Sequence, residues 1–136
     1  MDSFGILEVS ASALDAERQR MDAIASNMAN ARSTRSKGGG PYRKREVVFS
    51  PMTVHDGQED LEGVKVDRVV REKDFEQVYD PSNPDADKKG FVEMPDINVV
   101  EEMVNMMTAY RAYEASVSTF DISKAMFNKA LQLGGQ

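Results

Sequence analysis

The positions of the prolines divide this 136-residue chain into three parts. All five prolines lie in residues 41–95. A proline inside a helix removes a backbone hydrogen bond and clashes with the preceding turn, so long helices are disfavoured in the middle of the chain and allowed at both ends. Apolar residues follow the same division, because they are dense in 1–31 and 98–133 and sparse in 32–97. The sequence therefore predicts two terminal helical parts, 1–31 and 98–136, around a polar part, 32–97.

The C-terminal part carries an apolar stripe with heptad spacing. Alternate steps of four and three residues meet Val99, Met103, Met106, Tyr110, Tyr113, Val117, Phe120, Lys124, Phe127 and Leu131. All of these except Lys124 are apolar, and this spacing places them on one face of a helix. Asn98 can cap the start of the helix, Glu101 can complete a capping box, and Gly134 can end the helix.

The N-terminal part repeats the heptad pattern with smaller residues. Leu7, Leu14, Met21 and Met28 recur every seven residues among many alanines. Alanine favours helix and allows helices to approach closely. The chain is therefore predicted to be mainly α with a small β part. Its long N- and C-terminal helices would pair as a coiled-coil-like hairpin, with short strands and loops between them.

The middle part is predicted to contain short strands at 42–49, 63–70 and 91–94, with Pro51 ending the first and Pro95 the third. Its few apolar residues make a marginal unit, which must pack on the helices or on a partner. The terminal stripes leave two interpretations open. They pack only on each other within one chain, or they also pack on neighbouring subunits.

Composition and spacing argue against catalysis and cofactor binding. The chain has no cysteine and one histidine, which removes thiolate chemistry and any mechanism that needs two histidines. The acidic turn at 80–87 fails the calcium-loop pattern, because Pro84 and Asp85 stand where that loop needs a ligand and a glycine. His55 is predicted to be an exposed loop residue. We expect no enzyme activity, cofactor, metal, small-molecule substrate or membrane insertion. The residues before Arg18 also lack the basic region of a cleaved signal peptide.

A basic tract follows the N-terminal part. Its members are Arg32, Arg35, Lys37, Arg43, Lys44 and Arg45, with no acidic residue among them. One interpretation is a surface for an acidic protein partner, and the other is a solvated loop balanced by the acidic residues of 56–62. Nucleic acid is not expected, because Tyr42 is the one aromatic residue in the tract and the net charge of the chain is -6.

Two segments resemble a known family. Residues 26–31, which read SNMANA, resemble the N-terminal signature of bacterial flagellar rod and hook proteins, and residues 109–115, AYRAYEA, resemble their C-terminal signature. Residues 40–44, 47–49, 63–66 and 79–87 are similar to the short proximal-rod subunit of the FlgC type. The tract 32–37 is more basic than the usual link of that family, and Ser116 replaces its more frequent asparagine.

The resemblance implies a structural subunit of the flagellar basal-body rod. It implies assembly with copies of itself and with other rod subunits across the periplasm, after uncleaved export through the flagellar type III apparatus. The alternative from another class is an intracellular helical adaptor or export-chaperone-like binding module. The stripes and signatures together predict an assembly interface of Leu7, Leu14, Met21, Asn27, Met28, Asn30, Met103, Met106, Tyr110, Tyr113, Val117, Phe120 and Phe127. The terminal parts would form the axial core and 32–97 an outer brace.

Overall fold

The chain contains two long helices, one near each end, and four strands that lie between them in the sequence. The computed structural model describes residues 3–57 and 59–135. The elements are α1 Ser3–Ala29, β1 Arg45–Asp56, β2 Glu59–Arg71, β3 Phe75–Tyr79, β4 Phe91–Pro95 and α2 Val99–Gly134. The prediction of a mainly α chain with a small β part is confirmed.

The start of α2 is fixed by a side-chain cap. Asn98 lies just before the helix in an extended conformation, and its side-chain oxygen accepts hydrogen bonds from the backbone N–H groups of Val100 at 3.0 Å and Glu101 at 3.2 Å. These bonds satisfy two of the N–H groups that lack a partner in the first turn. Glu101 and Glu102 add negative charge at the positive end of the helix dipole. The predicted start and end of this helix are confirmed.

The two helices contact each other near both ends of α1. Phe4 meets Phe127 edge-to-face, with 5.3 Å between ring centroids. At the other end of α1, the Asn27 amide donates to the carboxylate of Glu102 at 3.0 Å. The first residues of α1 therefore lie beside the last turns of α2, and the last residues of α1 lie beside its start.

Strands β1 and β2 form a long antiparallel ribbon that pairs Arg45 with Arg71 at one end and Asp56 with Glu59 at the other. The prediction that the first strand ends at Pro51 is wrong, because β1 continues five residues beyond it to Asp56. Each strand of a two-stranded ribbon has an outer edge without a partner, and a proline is tolerated on an edge strand because its missing N–H breaks no ladder.

The ribbon lies along α1. The hydroxyl of Ser12 accepts a hydrogen bond from the backbone N–H of Val64 at 3.2 Å, and a methyl group at Gly5 would lie 2.7 Å from Leu61. Helix α1 contacts both α2 and the ribbon, whereas α2 and the ribbon do not pack directly on each other within the described residues. Most buried positions of α1, including Ser10, Ala16 and Ala23, carry small side chains, with Ile24 and Asn27 as the larger ones. Close approach to both neighbours explains the alanine content of α1.

Strands β3 and β4 form a second antiparallel pair, in which Phe75 lies opposite Pro95 and Tyr79 opposite Phe91. Strand β4 was predicted at 91–94, and β3 was not predicted. The two strands are joined by the acidic turn, whose Gly90 has φ 85° and lies against the Tyr79 ring. Because β3 is only five residues long and is paired across this turn, its own sequence carries little periodic signal.

Candidate assembly interface

A buried asparagine joins three parts of the fold. The side chain of Asn27, which is 1% exposed, donates from Nδ2 to the backbone oxygen of Arg45 at 2.9 Å and to Oε2 of Glu102 at 3.0 Å. Its Oδ1 accepts from the backbone N–H of Arg45 at 2.8 Å and from the hydroxyl of Tyr42 at 3.0 Å. These four bonds use the two donors and two acceptor sites of an asparagine amide. Asn27 therefore ties α1 to the start of β1 and to α2.

Glu102 is the most deeply buried charged residue in the described chain, at 2% exposure. The ammonium of Lys44 lies 3.4 Å from Oε1 of Glu102 and 3.9 Å from Glu72. Burial by itself lowers the pKa of Lys44, but the carboxylates of Glu102 and Glu72 outweigh that effect and raise it above 10.5. Lys44 therefore stays charged at neutral pH and compensates the buried carboxylate. We call Tyr42, Lys44, Arg45, Asn27 and Glu102 the Asn27 cluster.

The inward side of α2 differs from the predicted stripe. Its most buried residues are Glu102 and Ala109, which the stripe does not contain. The predicted residues Met106, Tyr113, Phe120 and Phe127 are partly buried on the same side of the helix. The large residues that recur every seven positions therefore share this side with small and polar ones. Phe127 reaches α1 directly through its contact with Phe4.

The other predicted residues of α2 lie on an outward face between positions 103 and 117. Met103 is 52% exposed, Tyr110 53% and Val117 37%. The neighbouring Val100, Val104 and Met107 are also exposed, at 69%, 56% and 58%. We call Val100, Met103, Val104, Met107 and Tyr110 the outer α2 face. It is a contiguous apolar surface on a helix whose opposite side already packs on α1.

The predicted residues of α1 differ in how far they are buried. Leu7, Leu14, Met21 and Met28 are partly buried, while Asn27 is fully buried within the chain's own fold. Asn30 donates to the backbone oxygen of Ser26 at 2.8 Å and accepts from the hydroxyl of Ser33 at 3.2 Å, so its contacts are local. The assembly role of these residues stays a prediction.

The basic tract is partly used inside the chain. Arg35 forms an ion pair with Asp85 of the acidic turn, and Lys44 belongs to the Asn27 cluster. Arg43 lies 5.5 Å from the centre of the Phe75 ring, and Arg45 lies 5.7 Å from that of Tyr42. The balancing acids are therefore Asp85, Glu72 and Glu102 rather than the residues at 56–62.

The acidic turn fastens the basic tract to the strands. The carboxylate of Asp85 accepts from the hydroxyl of Thr34 at 2.7 Å and from Nε of Arg35 at 2.6 Å. These bonds, the Thr34 bond first, hold the pKa of Asp85 below 3.8. The turn is thus a structural contact, not only a solvated loop.

His55 lies in β1, so the prediction that it is a loop residue is wrong. Its Nδ1 lies 2.6 Å from a carboxylate oxygen of Asp60, and both side chains are exposed. The described residues contain no group of three or more His, Asp or Glu placed to hold a metal ion. Among the same residues, no helix has the length and hydropathy of a membrane span.

Comparison with known proteins identifies the family. Residues 7–34 match the family described as flagella basal body rod protein, and residues 88–133 match the C-terminal family of flagellar basal body rod FlgEFG proteins. The flagellar basal-body rod protein FlgC of Salmonella typhimurium is 42% identical over 135 residues, covering 98% of this chain and 99% of the relative. FlgC of Bacillus subtilis is 37% identical over 150 residues, covering 98% and 99%. This chain belongs to the FlgC family.

Membership in the FlgC family makes the chain a structural subunit of the flagellar basal-body rod, and not an enzyme. It decides against the adaptor and export-chaperone alternatives. The two matched segments contain the two sides of the Asn27 cluster, because 7–34 includes Asn27 and 88–133 includes Glu102. The two matched segments of this FlgC-family chain therefore meet in space, at the junction of α1 and α2.

Three residues of this junction were missed by the sequence analysis. Glu102 was given no role in packing, Tyr42 was treated as the one aromatic residue of the basic tract, and Lys44 was treated as one of its surface cations. A glutamate in the first turn of a helix, next to a stripe residue such as Met103, carries no sign of burial by itself. The available signal was Asn27 in the signature SNMANA, since a polar residue within an apolar helix needs partners when it is buried.

Proposed function

We propose that this subunit builds the drive shaft of the flagellum through its terminal helices. Helices α1 and α2 would pair as a coiled-coil-like hairpin, and the outer α2 face would pack against neighbouring copies and other rod subunits. The observation that carries this proposal is the outer α2 face itself. Its five apolar residues are each more than half exposed in the single chain.

The size of this surface supports a protein partner. Fully burying one exposed apolar side chain contributes on the order of 1.5–3 kcal/mol. These five are 52–69% exposed, so burying the rest of their surface contributes roughly 4–8 kcal/mol in total, which reaches the lower estimates for the entropic cost of association. An exposed apolar face on a chain that is 29% charged is typical of an interaction surface. Methionine at two of the five positions suits contact with more than one kind of neighbour, because its side chain is flexible.

The remaining parts of the chain have proposed places in the same assembly. Residues 1–31 and 98–136 would form the axial core of the rod, and residues 32–97, with both strand pairs, would brace neighbours outside it. The rod would span the periplasm, and the chain would reach it through the flagellar type III apparatus without cleavage. Export without cleavage is tested by the mass of the chain in isolated basal bodies, which should equal that of the uncleaved chain.

The helix proposal is tested by placing a charge on the outer α2 face. Met107→Asp puts a carboxylate where a neighbour would bury it, which costs several kcal/mol, so we expect few rods and little motility. The matched control is Thr108→Asp, because the next residue lies about 100° around the helix and is also exposed. Secreted chain and circular dichroism are measured for both variants. Normal rods with Met107→Asp would contradict the proposal.

A further inference from the structure

The β1–β2 ribbon separates charges of opposite sign. Residues 32–45 contain six Lys or Arg and no acid, while residues 46–64 contain five Asp or Glu and no Lys or Arg. The ribbon places four of these acids at its tip, where Asp56 pairs with Glu59, and the cations at its base, where Arg45 pairs with Arg71. The fifth acid, Glu46, lies next to Arg45 at the base. We call the four acids at the tip, Asp56, Glu59, Asp60 and Glu62, the acidic tip.

A basic cavity lies at the base of the ribbon. It has a volume of about 590 Å³, and its cationic lining residues are Arg35, Lys37, Arg43, Arg45 and Arg71. No carboxylate is among the described residues that line it, although Asp85 pairs with Arg35 from outside. Two of the five arginine and lysine residues, Arg45 and Arg71, stand directly opposite each other across the strands. Like charges in that position destabilise a strand pair unless an anion compensates them.

The internal contacts of this basic cavity orient Arg43 and Arg45 without neutralising them, whereas Arg35 is paired with Asp85. Arg43 and Arg45 lie over the rings of Phe75 and Tyr42, and such rings carry no net charge. Lys37 and Arg71 are exposed. The cavity therefore presents several fixed positive charges to an acidic partner.

The acidic tip has the chemistry and shape to fill such a cavity. Glu59, Asp60 and Glu62 are exposed at the end of a narrow two-stranded hairpin. The tip cannot reach the cavity of its own chain, because the eleven steps from Arg45 to Asp56 extend the ribbon roughly 36 Å at about 3.3 Å per residue. Any contact between the two must join different copies.

We propose that the acidic tip of one copy docks into the basic cavity of a second copy. Such a contact is head-to-tail, since it uses two different surfaces of the chain, and repeated contacts of this kind build an open helix rather than a closed dimer. It rests on the proposed bracing role of residues 32–97 and specifies the contact, and it does not involve the outer α2 face. The two surfaces can therefore be tested separately.

Disulfide cross-linking tests the contact directly. The chain has no cysteine, so Lys37→Cys combined with Glu59→Cys supplies the only two thiols. A disulfide needs Cα atoms within about 7 Å, which the length of the ribbon excludes within one chain. Oxidation of isolated basal bodies should therefore give linked oligomers. The matched control combines Lys37→Cys with Lys65→Cys, an exposed position farther down the same strand, and should stay monomeric.

Charge reversal tests whether the attraction is electrostatic. Lys37→Glu with Arg71→Glu reverses the cavity, and Glu59→Lys with Glu62→Lys reverses the tip. Each double variant should lower incorporation into basal bodies about tenfold, and the chain carrying all four changes should recover it. Lys88→Glu with Lys89→Glu applies the same charge change at an exposed site and should have little effect.

The outcomes separate this contact from the helix proposal. If basal bodies contain the double-cysteine chain but no disulfide between positions 37 and 59, the tip–cavity contact is wrong. This conclusion does not depend on the result for Met107→Asp. Loss of assembly with the reversed cavity but not with the reversed tip would assign the cavity to another anion and overturn it as well. If the 37–59 disulfide forms and Met107→Asp cells build normal rods, the proposal for the outer α2 face is wrong and the tip–cavity contact is supported.

Discussion

Removing the Asn27 amide should destabilise the fold more than any other single truncation in the N-terminal signature. Asn27→Ala leaves the N–H and C=O of Arg45 and one oxygen of Glu102 without the partner they have at 2.8–3.0 Å. A lost hydrogen bond to a buried group costs about 1–2 kcal/mol when the group stays unsatisfied, so three give about 3–6 kcal/mol. That is a large share of the ~5–15 kcal/mol that holds a domain folded. Urea unfolding of the purified chain, followed by circular dichroism, measures the loss.

Asn30→Ala is the matched control for this prediction. Asn30 has the same side chain, lies in the same signature and is only partly buried, with contacts confined to Ser26 and Ser33. Its replacement should cost about 1 kcal/mol. Equal losses for the two variants, or a loss below about 1 kcal/mol for Asn27→Ala, would refute the view that Asn27 joins three parts of the fold.

Two further predictions concern the ribbon and the acidic turn. Gly5→Ala places a methyl group 2.6 Å from the carboxylate of Asp56, so it should lower the free energy of unfolding by about 1–3 kcal/mol, and an unchanged urea midpoint would contradict the close contact. Asp85 should titrate below 3.8 by NMR because Thr34 and Arg35 donate to it, and Thr34→Val should raise that pKa. Since the pKa is lowered in the fold, the contact is complete above 3.8 and is lost as the pH falls through the lowered value. If Thr34→Val leaves the pKa of Asp85 unchanged, the hydrogen bond from Thr34 is not the cause of the lowered pKa.

The sequence predicts the helices well and the orientation of α2 poorly. Proline positions, the Asn98 cap and the terminal glycines locate α2 to within a residue. Heptad stepping, however, selects the most apolar stripe, and that stripe contains both the inward Phe127 and the outward Met103. The inward side of the helix instead centres on Ala109, because close packing on an alanine-rich partner needs small residues. Apolar content alone cannot distinguish a surface buried within the chain from one that a neighbour would bury.

The candidate site was predicted in part for a similar reason. Asn27 was selected through the family signature, whereas its partners Glu102 and Arg45 lie 75 and 18 residues away. Arg35 likewise finds Asp85, 50 residues along the chain, rather than the nearer acids. Local patterns carry no information on such pairings, which depend on how α1, the ribbon and the acidic turn come together.

The contacts at the two ends of α1 differ in their resistance to sliding. Attraction between apolar surfaces such as Phe4 and Phe127 has little directional preference, so a small axial shift of one helix against the other changes it little. The hydrogen bonds of Asn27 weaken steeply with distance and angle, so the same shift there breaks them. Under a load along the helix axes, we therefore expect the contact at Asn27 to hold its position and the contact at Phe4 to shift. Displacement accumulates at the Phe4 end, and the junction of the two family-matched segments stays in register.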